Sequence, residues 1–288
     1  MADISPYFEA HQQAGRFFEA SGVKSFVREE GNGEVVVCLH GVPTSSYLYR
    51  KLLPELASRG FRGIAFDFPG LGLADRPINF DYSWTGLGKW TTEAIAALGL
   101  GNFHLILHDI GGPIGLEMVH QIPNSMLSLT ILNAPIAGVG SFQKPWVMRP
   151  FEKKRVGELY LGTMRKKLFV QLMYMQGIQD KKLSPPEELY VYIDLLKRQD
   201  GGKAFLQIMR NFEPTLEKET LYMDTLKALD VPIQVIWGEF DPTLTLNQYG
   251  LPLQEALELP EIHTLPAKHF LQEDQAPKIA QLFSELVD

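Results

Sequence analysis

The fold of this chain is decided by the stretch LILHDIGG at residues 105–112. Its apolar start is typical of a buried strand, its end is made of small residues, and helix-spaced apolar residues follow from Gly112 to Gln121. A sharp strand-turn-helix corner needs small residues, because its backbone is strained and neighbouring elements pack close to it. The stretch therefore predicts a nucleophile elbow with Asp109 at the corner, although an aspartate can also serve only to cap the following helix.

The identity of the corner residue argues against serine chemistry. In the usual elbow a serine lies between two glycines, but no Gly-x-Ser-x-Gly occurs in this chain. A serine esterase is therefore disfavoured, and the carboxylate of Asp109 becomes the candidate nucleophile.

Two later segments support a catalytic role for Asp109. The stretch VIWGEFDP at 235–242 places Asp241 just past a strand, and HTLPAKHF at 263–270 places His269 between the last strand and the last helix. Catalytic groups in open parallel sheets gather at the carboxyl ends of the strands. The chain order of nucleophile, acid and histidine is that of an α/β-hydrolase, so we predict a triad of Asp109, Asp241 and His269.

A further strand end, LHGVPTSS at 39–46, predicts a tight turn with exposed backbone N–H groups. The amides of Val42 and Ile110 would donate to an oxyanion, since this role depends on the direction of the amide and not on the side chain. His40 and His108 lie beside these donors, and we interpret both as structural residues.

Strands and helices alternate on both sides of the elbow, which predicts an α/β fold with a mostly parallel, doubly wound sheet. The candidate strands are Val23 to Arg28, Val35 to Leu39, Gly63 to Phe66, Phe103 to Leu107, Leu127 to Asn133, Ile233 to Trp237 and Glu261 to Leu265. The candidate helices are Tyr47 to Ser58, Trp84 to Leu98, Gly112 to Gln121, Leu246 to Leu257 and Phe270 to Val287. Residues 137–226, hereafter the inserted segment, interrupt the alternation with helices, so we predict core parts at 1–136 and 227–288.

Composition excludes some partners. The 288 residues include 27 Lys and Arg against 34 Asp and Glu, a net charge of −7, which disfavours nucleic-acid binding because phosphate contacts need clustered cations. The single cysteine, Cys38, cannot form an intramolecular disulfide and is expected in a buried strand. The start of the chain lacks a leader pattern and no apolar run is long enough for a membrane span, so we expect a cytoplasmic protein without a membrane partner. We also expect a monomer or a homodimer.

The sequence resembles the haloalkane dehalogenases and epoxide hydrolases of the α/β-hydrolase superfamily. The resemblance rests on HGVPTSSYLYR at 40–50, DFPGLGLADRP at 67–77, HDIGG at 108–112, and the segments around Asp241 and His269. It implies an α/β-hydrolase fold whose helical cap follows the sixth strand, and a small-molecule substrate. In such enzymes the aspartate forms an alkyl-enzyme ester, the histidine activates the water that cleaves it, and the second acid orients the histidine, with no metal or organic cofactor.

The resemblance leaves the substrate class open. Dehalogenases of this kind hold a tryptophan directly after the nucleophile to bind the halide, and Ile110 occupies that position here. Epoxide hydrolases use cap tyrosines to donate a proton to the opening oxygen. The candidate substrate-binding residues of the inserted segment are Trp146, Tyr160, Tyr174, Tyr190, Tyr192 and Tyr222, each of which could instead be a packing residue. A hydrolase of esters, lactones or carbon–carbon bonds, or a ligand-binding protein on this scaffold, is the alternative.

The inserted segment has an uneven charge. From Arg149 to Lys182, nine Lys or Arg residues accompany three Asp or Glu, a local charge of nine minus three, or +6, in a chain of net −7. Local fields of this kind raise the encounter rate with anionic substrates. A solvated helix surface without a binding role is the alternative interpretation.

Overall fold

A computed structural model describes residues 5–287, which form an eight-stranded sheet covered by helices. The strands are β1 Gly15–Ala20, β2 Val23–Glu30, β3 Glu34–Leu39, β4 Phe61–Phe66, β5 Phe103–His108, β6 Met126–Leu132, β7 Ile233–Gly238 and β8 His263–Leu265. Their order across the sheet is β1-β2-β4-β3-β5-β6-β7-β8. All pairs from β4 to β8 are parallel, whereas β1 and β2 are antiparallel to their neighbours. The predicted α/β-hydrolase fold with a mostly parallel sheet is confirmed.

The central strands are apolar because helices cover both faces of the sheet. Every residue of β5 is buried, and so are the last four residues of β3. Parallel sheets covered on both sides select such continuous apolar runs. These continuous apolar runs are why the central strands can be predicted from the sequence.

The edge strand β1 was not predicted. It pairs with β2 through a two-residue turn at Ser21 and Gly22, both of which have positive φ. Such a turn matches the right-handed twist of the two strands. The Ser-Gly pair in the sequence indicates this turn, but apolar and polar residues alternate too weakly along β1 to indicate a strand. With β1 included, six strands precede the inserted segment.

The helices outside the inserted segment lie mostly where the apolar pattern predicts them. They are α1 Pro6–Gln13, α2 Leu52–Ala57, α3 Trp84–Ala97, α4 Gly111–Gln121, α10 Leu251–Ala256, α11 Leu271–Asp274 and α12 Ala276–Val287. The predicted closing helix is divided into α11 and α12 because Pro277 has no N–H to continue the helical ladder. Helix α1 was not predicted, and the predicted helix at 47–58 is a 3-10 helix, Ser46–Arg50, followed by α2.

Between β6 and β7 the chain forms helices and loops. The α-helices are α5 Val156–Thr163, α6 Lys166–Gln176, α7 Pro186–Lys197, α8 Lys203–Arg210 and α9 Leu216–Lys227, and 3-10 helices lie at Val139–Ser141 and Arg149–Glu152. None of the helices within residues 5–287 has the length and apolar character needed to cross a bilayer.

Candidate active site

Asp109 lies at the corner between β5 and α4 with φ of 52°. This conformation is uncommon for a residue with a side chain and marks a strained turn. The small neighbours have a packing reason: a Cβ added to Gly111 would lie 2.5 Å from the carbonyl oxygen of Leu39, and one added to Gly41 would overlap the Asp109 carboxylate. The elbow therefore brings the carboxylate against the turn that follows β3.

The two oxygens of the Asp109 carboxylate have different surroundings. The Val42 N–H donates to Oδ2 at 2.8 Å, whereas Oδ1 lies 3.8 Å from Nε2 of His269. Burial raises the pKa of the Asp109 carboxyl, and the charge of His269 and the backbone N–H groups of Val42 and Ile110 oppose this effect. The Val42 N–H therefore faces the carboxylate as predicted, and the Ile110 N–H is the next amide along the chain from Asp109.

His269 and Asp241 are in direct contact. His269 Nδ1 lies 2.8 Å from Oδ2 of Asp241, so Nδ1 carries the proton and Nε2 presents a lone pair on the side of Asp109. Burial favours a neutral imidazole, but the charge and hydrogen bond of Asp241, together with the charge of Asp109, outweigh it and raise the pKa of His269. Burial would also raise the pKa of Asp241, but the charge and hydrogen bond of His269 lead the contacts that lower it. The structure thus brings together all three predicted triad residues.

The sequence reasoning missed Asn133 as a site residue. Its side-chain N–H donates to Oδ2 of Asp241 at 2.6 Å, and its side-chain oxygen accepts the Gly238 N–H at 2.8 Å. Its backbone oxygen accepts the Asp109 N–H at 3.2 Å. Asn133 therefore links the strand ends that hold the acid and the elbow. The position of Asn133 at the end of β6 could have marked it as a site residue. An amide side chain at a strand end does not, however, indicate from sequence alone which group it will hydrogen-bond.

His40 and His108 make backbone contacts outside the cavity that faces Asp109. His40 Nδ1 donates to the Gly41 carbonyl at 2.9 Å, and its Nε2 accepts the Phe68 N–H at 3.2 Å. Nε2 of His108 donates to the carbonyl of His269 at 2.8 Å. Burial lowers the pKa of both residues, to about 4 for His40. These contacts agree with structural roles.

A cavity of about 110 Å³ opens above Asp109 and His269. Its walls are almost entirely apolar, and the inserted segment supplies most of them, mainly through methionines and phenylalanines: Phe142, Met148, Phe151, Met164, Phe169, Met173, Phe205, Met209 and Phe212. The other polar side chains in the wall are Lys144, Gln176 and Thr243, and the Thr243 hydroxyl donates to Asp241 at 2.7 Å. Among the described residues no cluster of three or more His, Cys, Asp or Glu could hold a metal ion.

None of the six candidate substrate-binding residues lines this cavity. Trp146 is 66% exposed on the surface. The Tyr174 hydroxyl donates to the Ser184 carbonyl, the Tyr192 hydroxyl to Glu273, and the Tyr222 hydroxyl to Glu117. Tyr160 packs on Phe151, and Tyr190 lies under the ammonium of Lys166. Helical spacing indicates which residues share a face, but not which face meets the substrate.

The Ile110 side chain also lies outside the cavity wall and is 1% exposed. The side chain that follows Asp109 is therefore packed into the core.

This fold, elbow and triad geometry define a class of protein. Residues 34–276 match the family model of the α/β-hydrolase fold. The chain belongs to this family and is a hydrolase, and its resemblance to the branch of haloalkane dehalogenases and epoxide hydrolases is confirmed.

Among individual proteins, the chain is 27% identical to a haloalkane dehalogenase from Psychrobacter cryohalolentis, over 99% of this chain and 95% of that protein. It is equally 27% identical to the mesoderm-specific transcript protein of Mus musculus, over 85% of this chain and 76% of that one. The crystal structure of an epoxide hydrolase from Vigna radiata matches with a TM-score of 0.77 and 23% identity, covering 95% of this chain and 97% of that chain. At this identity the structural match shows the fold alone.

Proposed function

We propose that this protein hydrolyses a small, largely apolar alkyl electrophile, a haloalkane or an epoxide, through an ester formed on Asp109. The observation that carries this proposal is the asymmetry of the Asp109 carboxylate. A backbone N–H holds Oδ2, while Oδ1 lies 3.8 Å from the imidazole under an apolar cavity. In the same proposal, residues 137–226 are a cap over the site, and residues 1–136 and 227–288 form the core.

In the first step Oδ1 of Asp109 attacks an sp3 carbon from the side opposite the leaving group. An O–C bond forms, and the carbon–halogen bond breaks with its electron pair leaving as halide. With an epoxide a ring C–O bond breaks instead, and the released oxygen takes a proton from water. The product in both cases is an alkyl ester of Asp109, an established form of carboxylate catalysis.

In the second step water attacks the carbonyl carbon of the ester. Nε2 of His269 takes the proton of this water, and the carboxylate of Asp241 stabilises the resulting imidazolium. The negative charge develops on Oδ2, which accepts the Val42 N–H, and in this proposal the Ile110 N–H donates to it as well, because preorganised amides stabilise developing charge. When this intermediate collapses, the C–O bond to the alkyl group breaks and the leaving oxygen takes the proton from the His269 imidazolium, which releases the alcohol or diol. The new carboxyl group of Asp109 loses its proton to solvent and is again a carboxylate.

The cavity limits the size and the polarity of the substrate. A dry engineered cavity of roughly 150 Å³ binds benzene, so a space of about 110 Å³ suits a body of similar or smaller size. The apolar wall favours an uncharged carbon skeleton around the reacting carbon. Besides His269, the lining side chains with N–H donors are Lys144 and Gln176. The Gln176 amide is our candidate donor to the leaving group.

One turnover in heavy-oxygen water tests the mechanism. With protein in excess over bromohexane or styrene oxide, we expect the label in the peptide that contains Asp109, because water attacks the carboxyl carbon and not the substrate. The peptide that contains Asp67, another buried carboxylate, serves as the control and should remain unlabelled. Label in the first-turnover product instead would mean direct attack by water and would refute the ester intermediate.

The pH dependence of ester hydrolysis provides a second test. His269 acts as a base only when neutral, and its pKa is raised above the ordinary 6.5 in the free protein. The rate of ester breakdown should therefore rise with pH through the pKa of His269. In Asp241→Asn the charge that raises this pKa is absent, so the midpoint should move to lower pH. A midpoint that Asp241→Asn leaves unchanged would argue against His269 as the base.

A further inference from the structure

One charged side chain in the cavity wall has no part in the mechanism above. Of the lining residues in the described range 5–287, those with an ionisable group are Asp109, His269 and Lys144. Lys144 lies in the inserted segment, between the 3-10 helices Val139–Ser141 and Arg149–Glu152. An ammonium beside an apolar cavity has a desolvation cost, so its presence there needs a reason.

The contacts of Lys144 place its ammonium at the rim of the cavity. Its Nζ lies 2.9 Å from Oε1 of Glu152 and 4.5 Å from the ring centroid of Phe212, which also lines the cavity. The Lys144 side chain is 10% exposed and that of Glu152 is 43% exposed. The ammonium therefore lies between the apolar wall and a solvated carboxylate that is itself outside the wall.

The pairing with Glu152 is easily exchanged. Ion pairs with a solvated partner contribute little stability, about 0–1 kcal/mol. The backbone is held separately, because Nε of Arg149 donates to the Lys144 carbonyl at 3.0 Å. Another carboxylate can thus replace Glu152 at the ammonium without loss of the loop conformation.

An anionic substrate would need such a group. The carboxylate of Asp109 and the net charge of −7 both repel anions, whereas an ammonium at the rim holds a negative group outward and lets the apolar part reach Asp109. The inserted segment also has a charge of +6 between Arg149 and Lys182, which favours the approach of an anion.

We propose that Lys144 binds the carboxylate of the substrate. The substrate class is then a short carboxylic acid whose reacting carbon is separated from the carboxylate by an apolar spacer no larger than about a benzene ring. This inference rests on the proposed function for its reacting group, but the binding of the carboxylate itself can be tested without turnover.

The binding test uses two unreactive probes of the same shape, phenylacetate and phenylacetamide. The wild-type protein should bind phenylacetate about tenfold more tightly, since a hydrogen bond to a charged group is worth about one power of ten. Lys144→Met should lose this preference, Lys144→Arg should keep it, and Glu152→Gln should increase it by removing the competing carboxylate. Lys154→Met is the matched control, because Lys154 is exposed on the same segment and does not line the cavity.

Calorimetric titration measures these affinities, and thermal melting checks that each variant is folded. Equal affinity of the wild-type protein for both probes, or a preference that survives in folded Lys144→Met, would overturn the assignment.

Turnover separates this inference from the proposed function. With ω-bromohexanoate and ω-bromohexanamide, Lys144→Met should lower kcat/KM about tenfold for the acid and leave the amide unchanged. An equal loss for both substrates would place Lys144 at the leaving group and refute the inference alone. If no bromide or epoxide substrate gives an Asp109 ester, the proposed function fails, while the result with phenylacetate still decides the role of Lys144.

Discussion

Replacing His269 by alanine is expected to leave a protein that forms one ester on Asp109 and releases it very slowly. Attack by Asp109 needs no base, because the nucleophile in this step is the ionised carboxylate itself. Hydrolysis of the ester does need one, and loss of a general base typically costs about 10²- to 10⁴-fold in rate. Oδ1 of Asp109 and Nε2 of His269 are 3.8 Å apart, which is close enough for a water held by the imidazole to reach the ester carbon.

Mass spectrometry of the His269→Ala protein measures the trapped ester and also identifies the leaving group. A haloalkane adds its alkyl group in place of a proton, whereas an epoxide adds its complete mass because the oxygen stays attached. The adduct should not exceed one per chain and should lie in the peptide that contains Asp109. The double variant with Asp109→Asn should give no adduct, since an amide is a far poorer nucleophile than a carboxylate.

Two results would contradict this prediction for His269→Ala. Rapid turnover by folded His269→Ala, with no adduct and free product, would mean that His269 is not the base for the second step. An adduct on another residue would remove Asp109 as the nucleophile.

Replacing Glu273 by leucine is expected to cause the largest loss of stability among the single changes that spare Asp109 and His269. Its buried carboxylate accepts two hydrogen bonds from Arg50, at 2.6 and 2.9 Å, and one from Ser184 at 2.7 Å. Lys51 pairs with it at 2.9 Å. Breaking a buried ion pair by removing one partner costs about 3–5 kcal/mol, and Glu273→Leu leaves the Arg50 guanidinium paired with the partly exposed Glu188.

Denaturant unfolding of Glu273→Leu measures this loss. Glu188→Leu is the matched control, because Glu188 pairs with the same Arg50 at 2.6 Å but is 19% exposed, so its removal should cost much less. Equal losses for the two variants would show that burial of Glu273 is not the source of the effect.

The contribution of Glu273 to the stability of the protein should depend on pH. Burial would raise the pKa of this carboxyl, but the charge and hydrogen bonds of Arg50 outweigh it and lower the pKa from 4.5 to about 2. A carboxyl group whose pKa is lower in the folded protein than in the unfolded chain stabilises the folded protein at pH values above its unfolded pKa. This stabilisation is lost as the pH falls through the pKa of the folded state. The difference between wild-type protein and Glu273→Leu should therefore shrink between pH 4.5 and about 2.

The sequence determined the fold and the core of the site because both depend on local patterns. Apolar runs identified the central strands, and small residues after Asp109 identified the elbow, since their spacing reflects packing on a few neighbouring residues. Parallel strands share one carboxyl edge, so the chain order alone indicated that Asp241 and His269 belong with Asp109. The turn that presents the Val42 N–H to Asp109 lies at the same edge.

The tertiary structure alone decided which side chains meet across long stretches of sequence. Asn133 holds Asp241 from 108 residues away, and Arg50 holds Glu273 from 223 residues away. In the inserted segment, Tyr174, Tyr192 and Tyr222 donate hydrogen bonds to groups that do not line the cavity, while methionines, phenylalanines and Lys144 line it. A helical pattern gives the relative placement of side chains on one helix, but the rotation of that helix against the sheet is set by the packing of the whole chain.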